Sequence, residues 1–593
     1  MLGAFFIPLN MRWFLLVFVC LVLKSIKAQT NFPYERFSDW QSVNATLLAD
    51  SLYQILDLAT LNLDASGQQD CSAPINALLQ QFPDDTVRLH FPAGTFLFTQ
   101  PLQLKSLLII EGEGPDLTHF RFSLGGSQSA IQANGLLSSI QQEVLPPLQN
   151  DLFLICSGHN FQSKDWLYLR CQDAALVTSS WALGTVGQLL QIESIAGDTL
   201  YLNAKIRRSY LNELPCVVQR FTPKEHIKLR CFSIERSDDT APEQSSSIEF
   251  NFVVNSQISS LYSRYCTFAH VALNSCSNIL VSKSYLTDAF DYGEGGRAYG
   301  VVLQASTGEC RIEDNIFKHL RHAILVQSGA NGNVAAFNFS TEAYWTNSSP
   351  LLGANSAGDL VLHGNYVYAN LFEQNVINNI VIDNSHGSNG PDNLFYRNRA
   401  RLYGIFFSDQ SSPNQLFIGN EVTNTAFPYS LVNYNLQGTG HYEFANNNKG
   451  TIVPAGTILQ TDTSFAYVTC PDFVAQSMWL KIGEQPVISY LIPAQSRYET
   501  QSYFSSSCGN TDAGLFENTL STIVYPNPAQ NFATFCFSKP VYGKITIYAI
   551  DGKIMQVEDL NSKTLTISLN SMPSGLYLWQ IEGVSCAGKL IVR

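Results

Sequence analysis

The sequence predicts an all-β protein whose main body is a right-handed parallel β-helix. The first observation is composition. Charged residues make up only 14% of the 593 residues and aromatics 12%, and Gly, Asn and Ser recur between short apolar runs, a pattern of strands and turns. The second is a repeat. Short apolar strands end in Asn at Asn315, Asn338, Asn375, Asn398, Asn420 and Asn446, with spacings of 23, 37, 23, 22 and 26. The third is that the long gap equals one repeat plus about 14 residues, for which Trp345 to Gly358 fits. A period near 23 suits one coil of three short strands. Asn suits its corner, because Asn tolerates the left-handed conformation and its amide can bond the equivalent amide one coil above. Stacked coils bury a core that no single coil can. Unrelated turns of a β-sandwich would not keep this spacing, and the L-x-x-L-x-L pattern of leucine-rich repeats is absent.

The elements follow in order. Arg12, the apolar run Trp13 to Leu23 and the small residue Ala28 read as a signal peptide, residues 1–28. Its 11-residue run is too short to span a bilayer. No other run is long enough, so the mature chain is expected to lack a transmembrane segment. Residues 29–150 hold an N-terminal cap, including a helix over Ser72 to Gln81, and the first coils. Residues 151–230 interrupt the repeat as a β-rich insertion or irregular coils, with strands at 165–169, 188–192 and 198–202 and a hairpin turn at Gly197-Asp198. Coils with a candidate groove occupy 231–450, a C-terminal cap and linker 451–516, and a separate domain 517–593.

The net charge of −13 argues against nucleic-acid binding, which needs a basic footprint. Of thirteen cysteines, Cys20 lies in the signal, and export permits the other twelve to form disulfides. Proximity alone suggests Cys156/Cys171, Cys216/Cys231, Cys470/Cys508 and Cys536/Cys586. No C-x-x-C pair offers a zinc site of that kind.

Two stretches resemble known families. Val87-Arg88-Leu89-His90-Phe91-Pro92-Ala93-Gly94-Thr95-Phe96 and Glu111-Gly112-Glu113-Gly114 resemble the opening of pectate-lyase-like (pectin-lyase-fold) β-helices, in which a helix caps the barrel end. That likeness covers most of residues 60–450 as a fold pattern and matches no family's catalytic motif residue by residue. At the other end, Tyr525-Pro526-Asn527-Pro528, Gly543 to Tyr548, Asp551-Gly552-Lys553, Met572 to Tyr577 and Gly588 to Arg593 resemble the C-terminal sorting domain of type IX secretion cargo in Bacteroidetes. This implies a small Ig-like β-sandwich, the type IX machinery as a partner, and export through the periplasm to the outer-membrane surface or the medium.

Chemistry-bearing residues gather in one window. Four of the ten His, namely His319, His322, His363 and His386, fall between 319 and 386. Arg321, Asp383 and Asp392 lie among or near them, and Arg397, Arg399 and Arg401 follow. Coils stack about 4.8 Å apart, so residues distant in sequence can meet. A polysaccharide lyase needs a base beside the sugar carboxylate and a cation, Arg or bound calcium, to neutralise that acid. His322, His363, Asp383, His386 and Arg399 are the catalytic candidates, and Arg321, Arg397, Arg401, Tyr366 and Trp345 the substrate-binding ones. A glycoside hydrolase would need a second carboxylate with Asp383, from Asp359, Glu373 or Asp392. The Arg/His cluster on an acidic protein favours an anionic polysaccharide and places lyase-type β-elimination first. A hydrolase and a non-catalytic glycan binder or adhesin remain open. Asp238, Asp239, Asp288, Asp291 and Glu294 suit loop acids better than calcium ligands. Tyr344, Trp345, Tyr366 and Tyr368 suit either stacking on sugar rings or covering the barrel side.

Overall fold

The computed structural model describes residues 32–593 apart from 212, 294, 347–352, 409–410, 433, 435, 460–462, 485–489, 505–507, 509–521, 526–528, 550–552, 582–586 and 593. The signal peptide, Pro526-Asn527-Pro528, Asp551-Gly552, Glu294 and the Cys536/Cys586 pairing therefore lie outside the described residues. Among those described, no helix is long and apolar enough to cross a membrane. The chain forms two compact units, residues 1–508 and 509–593.

The first unit is a right-handed parallel β-helix with three strands per coil. One coil is Val253–Ser259, Tyr262–Cys266 and Ala269–Asn274, and the next is Ser277–Ser282, Tyr285–Ala289 and Tyr299–Gln304. The first-strand sheet runs in parallel pairs from Gln54–Leu56 to Tyr442–Phe444. Its pairings Arg311 to Val334, Val334 to Leu371, Leu371 to Leu394, Leu394 to Leu416 and Leu416 to Tyr442 reproduce the Asn spacings of 23, 37, 23, 22 and 26. The extra residues of the long step leave the barrel between Phe339–Thr341 and Leu360–His363.

The Asn corner is a buried ladder. Asn315, Asn338, Asn375, Asn398, Asn420 and Asn446 are joined by Nδ2 to Oδ1 bonds of 2.9–3.0 Å. Each Oδ1 from Asn338 onward also accepts the backbone N–H of the Asn one coil earlier. The left-handed residue is not the Asn. It is the residue before it: Asp314, Phe337, Gln374, Arg397, Gly419 and Ala445 all have φ between 52° and 64°. The turn strain therefore falls on the neighbour, and the Asn supplies the amide that satisfies the corner's backbone. Inside the barrel, Phe372, Phe395 and Phe417 stack at 4.9 and 5.0 Å, one ring per coil, and each buried ring contributes about 2 kcal/mol.

An antiparallel six-stranded sheet leaves the barrel after Ile131–Asn134. It runs from Leu136 to Thr222, so it starts before the expected boundary at 151. Cys171 and Cys216 face each other across it and form a disulfide. Cys231 pairs with Cys508, while Cys156 and Cys470 are free thiols. Proximity in sequence misassigned these pairs because strand pairing and a returning chain, not short loops, bring the sulfurs together.

Two segments strap the first-strand face. The N-terminal one runs against the coil order. Phe32 meets Phe444, Arg36 pairs with Asp392, Trp40 Nε1 donates to Ala369 O, Val43 O accepts from Arg311, and Asp50 pairs with Lys228 and Arg230. The second follows the last coil. The segment expected to cap the barrel end instead runs back along its side. Ser464 reaches Glu373, Ile482 O accepts from Arg397, Arg497 pairs with Asp314 at 2.8 Å, and Cys508 closes on Cys231. The second unit is five antiparallel strands, Thr522–Tyr525, Phe532–Ala549, Ile554–Ser568, Gly575–Ile581 and Ala587–Val592, around Phe535, Ile545, Trp579 and Leu590.

Candidate functional site

The third strands carry the site on their outer face. Tyr299 pairs in register with His322, and His363 with Asp383. A chain of rings crosses this face. Centroid distances are 5.4 Å from Phe268 to Tyr299, 4.9 Å to His322, 6.1 Å to His363, 4.7 Å to His386 and 5.5 Å to Trp181. Trp181 comes from the inserted sheet's loop and is half exposed. That loop is pinned to the barrel, because the N–H groups of Thr178 and Ser179 both donate to Asn365 Oδ1. Ser179 Oγ lies 3.2 Å from His386 Nδ1. At the other end Arg321 donates to Gly293 O at 2.6 Å and lies over the Trp345 ring.

Asp383 Oδ2 is 2.6 Å from His363 Nδ1. Burial pushes the Asp383 carboxyl up, but His363 and the Ser385 hydroxyl and N–H outweigh it and hold the group well below the usual carboxylate range. The carboxylate is the close charge partner of His363 Nδ1, although the ring N–H is not aligned on it well enough for a hydrogen bond. His322 Nδ1 is 2.7 Å from Gly358 O. A carbonyl only accepts, so Nδ1 holds the proton and Nε2 keeps its lone pair. Burial, reinforced by Arg321 and His363, pushes His322 down to about 3, so the ring stays neutral. His322 Nε2 is buried with no partner among the described residues. Burial first and His363 second also lower His386, and burial raises the Tyr299 phenol.

The structure thus gathers His322, His363, Asp383, His386, Arg321 and Trp345. It does not gather the rest. Arg399 is paired with buried Glu421 at 2.7 Å, Arg397 donates to Leu480 O and Ile482 O, and Arg401 donates to Ser340 O over the Phe339 ring. These three hold the strap and a barrel corner, because Asn398 sits in the ladder between them and turns the chain away. Tyr366 packs beneath the inserted sheet with Arg208 over its ring. The proposed partner carboxylates are also engaged elsewhere. Glu373 accepts from Ser464, Phe465 and Ala466, Asp392 pairs with Arg36, and fully buried Asp359 accepts from Asn378 N–H. Among the described residues no group of three or more His, Cys, Asp or Glu is arranged to hold a metal.

Sequence reading missed Tyr299, Trp181 and Ser179. Tyr299 was findable, since it precedes His322 by the same 23-residue step. Ser179 and Trp181 were not, because no repeat registers the insertion against a residue 207 positions away.

Fold and site define a parallel β-helix protein with a largely buried His/Asp cluster on its third-strand sheet. Residues 523–593 match the secretion system C-terminal sorting domain, so the last unit addresses the chain to the cell surface or the medium. No curated protein matches the chain. Among solved structures it is similar to the tailspike protein gp49 of Pseudomonas phage LKA1, at 11% identity over 88% of this chain and 98% of that one, with a TM-score of 0.39. It is similar to the catalytic unit of an α-1,3-glucanase from Streptomyces thermodiastaticus, at 11% over 64% and 61%, TM-score 0.34. It is also similar to the A-module of the mannuronan C-5 epimerase AlgE4 of Azotobacter vinelandii, at 10% over 66% and 92%, TM-score 0.33. At these identities and TM-scores the likeness assigns no substrate or reaction.

Proposed function

We propose that the protein is a surface or secreted enzyme that cleaves an acidic polysaccharide by β-elimination. The observation that carries this is the His363–Asp383 pair at 2.6 Å, with Arg321 in the same cluster and two of the candidate partner carboxylates, Glu373 and Asp392, engaged elsewhere. His363 Nε2 removes the proton beside the sugar carboxylate. Arg321 neutralises that carboxylate and so stabilises the charge that develops. The electrons form a carbon–carbon double bond as the glycosidic carbon–oxygen bond breaks, and His363 passes the proton it has taken up to the leaving oxygen. A hydrolase would need a second carboxylate about 5–9.5 Å from Asp383, and Glu373 and Asp392 are held by other partners.

The test is a screen of the purified mature chain on pectin, alginate and glycosaminoglycans, with and without calcium, following ultraviolet absorbance and reducing ends together. Rising absorbance that disappears in His363→Ala is expected. Reducing ends without absorbance would replace this reading by hydrolysis. Silence on both would favour a glycan binder.

A further inference from the structure

The third-strand sheet carries a polar column that the His363–Asp383 pair does not use. Register aligns Asn134, Asn251, Asn274, Gln304 and Gln327 on one outer line, and its next positions are His363 and Asp383. The amides are bonded in series. Asn251 donates to Asn134 and Asn274 to Asn251 at 2.7 Å, then Gln304 to Asn274 and Gln327 to Gln304 at 2.5 Å. A carboxamide has two N–H groups and two lone pairs, and the series engages only one of each. Asn251 gives its second N–H to Glu249. For Asn274, Gln304 and Gln327 no acceptor of the second N–H is found among the described residues. The inserted sheet rises along this line, with Tyr168 Oη 3.1 Å from Ser306 Oγ and Thr185 Oγ1 3.4 Å from Ser328 Oγ. The column is thus the inner edge of a step. It opens with distance from the pair: Gln327 is 7% exposed, Gln304, Asn274 and Asn251 are half-buried, and Asn134 is exposed. Past Asp383, the register leads to Ser408.

We propose that this column is the track for an oligosaccharide chain lying along the barrel axis, its long arm running from the His363–Asp383 pair toward the N-terminal coils. The proposal rests on the reading of the protein as glycan-acting. Amides repeating about every 4.8 Å match a polymer whose hydroxyls recur once per sugar. Five amides hold about four or five sugars on that side. The column carries no charge, so it recognises hydroxyls, and affinity gained along it is insensitive to salt, unlike an ion pair at Arg321.

The experiment uses the unreactive His363→Ala protein and titrates size ladders of galacturonan and mannuronan, dimer to octamer, by calorimetry at low and high salt. Affinity should rise with length to about the hexamer at both salt levels. Adding Asn274→Ala should weaken the octamer about tenfold and the dimer less than twofold, the size of one lost hydrogen bond. Equal affinity for dimer and octamer, an equal effect of Asn274→Ala on both, or no binding of any probe would overturn the track. If Asn274→Ala fails to fold, Gln304→Ala is read by the same criteria. Because binding is measured without turnover, a wild-type protein that binds by length but forms no unsaturated product rejects the elimination and keeps the track.

Discussion

Two faces of the barrel carry charged and polar side chains, and they differ in what those side chains meet. On the first-strand face and at the Asn corner beside it, neighbouring strands and the straps supply most of the partners. Glu111 is surrounded by Arg88, His90 and Arg230, Glu373 accepts three donors from the returning segment, and Glu421 takes Arg399 and the Gly483 N–H. On the third-strand face the inserted loop touches one end of the cluster only. His322 Nε2 is unpartnered there, and Trp181 is half exposed. The lesson is that buried charge with complete partners holds this fold together, whereas an incomplete set of partners marks where a ligand fits.

The largest effect expected from this contrast is on the open face. Asp383→Asn should lower turnover on the polymer found by the screen by about 10²–10⁴-fold, the range for losing general-base function. The melting temperature should move by only a few degrees. Retained turnover would break the distinction between the faces. On the covered face the outcome should invert. Glu421→Ala leaves Arg399 in a buried site without its carboxylate, at a cost of about 3–5 kcal/mol. Denaturant unfolding should show that loss while turnover per folded molecule stays unchanged. Third comes the Asn corner between the first and second strands. Asn375→Ala removes one rung and strands the buried amide of Asn338, costing about 2 kcal/mol, again without an effect on turnover.

Much of the fold was legible because the barrel repeats. The Asn spacings are the strand-pairing offsets, and even the 37-residue step pointed to the segment that leaves the coil. The candidate site was legible only where it shares that register. His322, His363, Asp383 and His386 sit on successive coils of one face. Arg397, Arg399 and Arg401 fall at every second position, as on one strand face, but Asn398, whose turn the sequence already suggested among them, and the αL turn at Arg397 place them at another corner. Nothing local in sequence tells that a strap will cover that corner. Trp181 and Ser179 were hidden for the opposite reason, since the inserted sheet follows no repeat.

The smallest effect sharpens the comparison to two histidines. His270 and His322 are both buried, and burial pushes both down to about 3. His270 is complete: Nδ1 lies 2.7 Å from Ser263 Oγ and Nε2 3.2 Å from Asp288 O. His322 has one partner, Gly358 O. Because the unfolded chain takes up protons near pH 6.5 and the folded protein does not until about 3, each ring makes stability fall as pH drops through that window. The slope is at most about 1.4 kcal/mol per pH unit for each ring. Equilibrium unfolding across pH 4–7 should show the slope reduced in His270→Gln and in His322→Gln. Only a ligand can separate the two. A bound oligosaccharide that donates a hydroxyl to His322 Nε2 should stabilise the wild type and His270→Gln by the same amount and His322→Gln by less. Equal effects of ligand on both variants would mean that His322, like His270, belongs to the framework rather than the site.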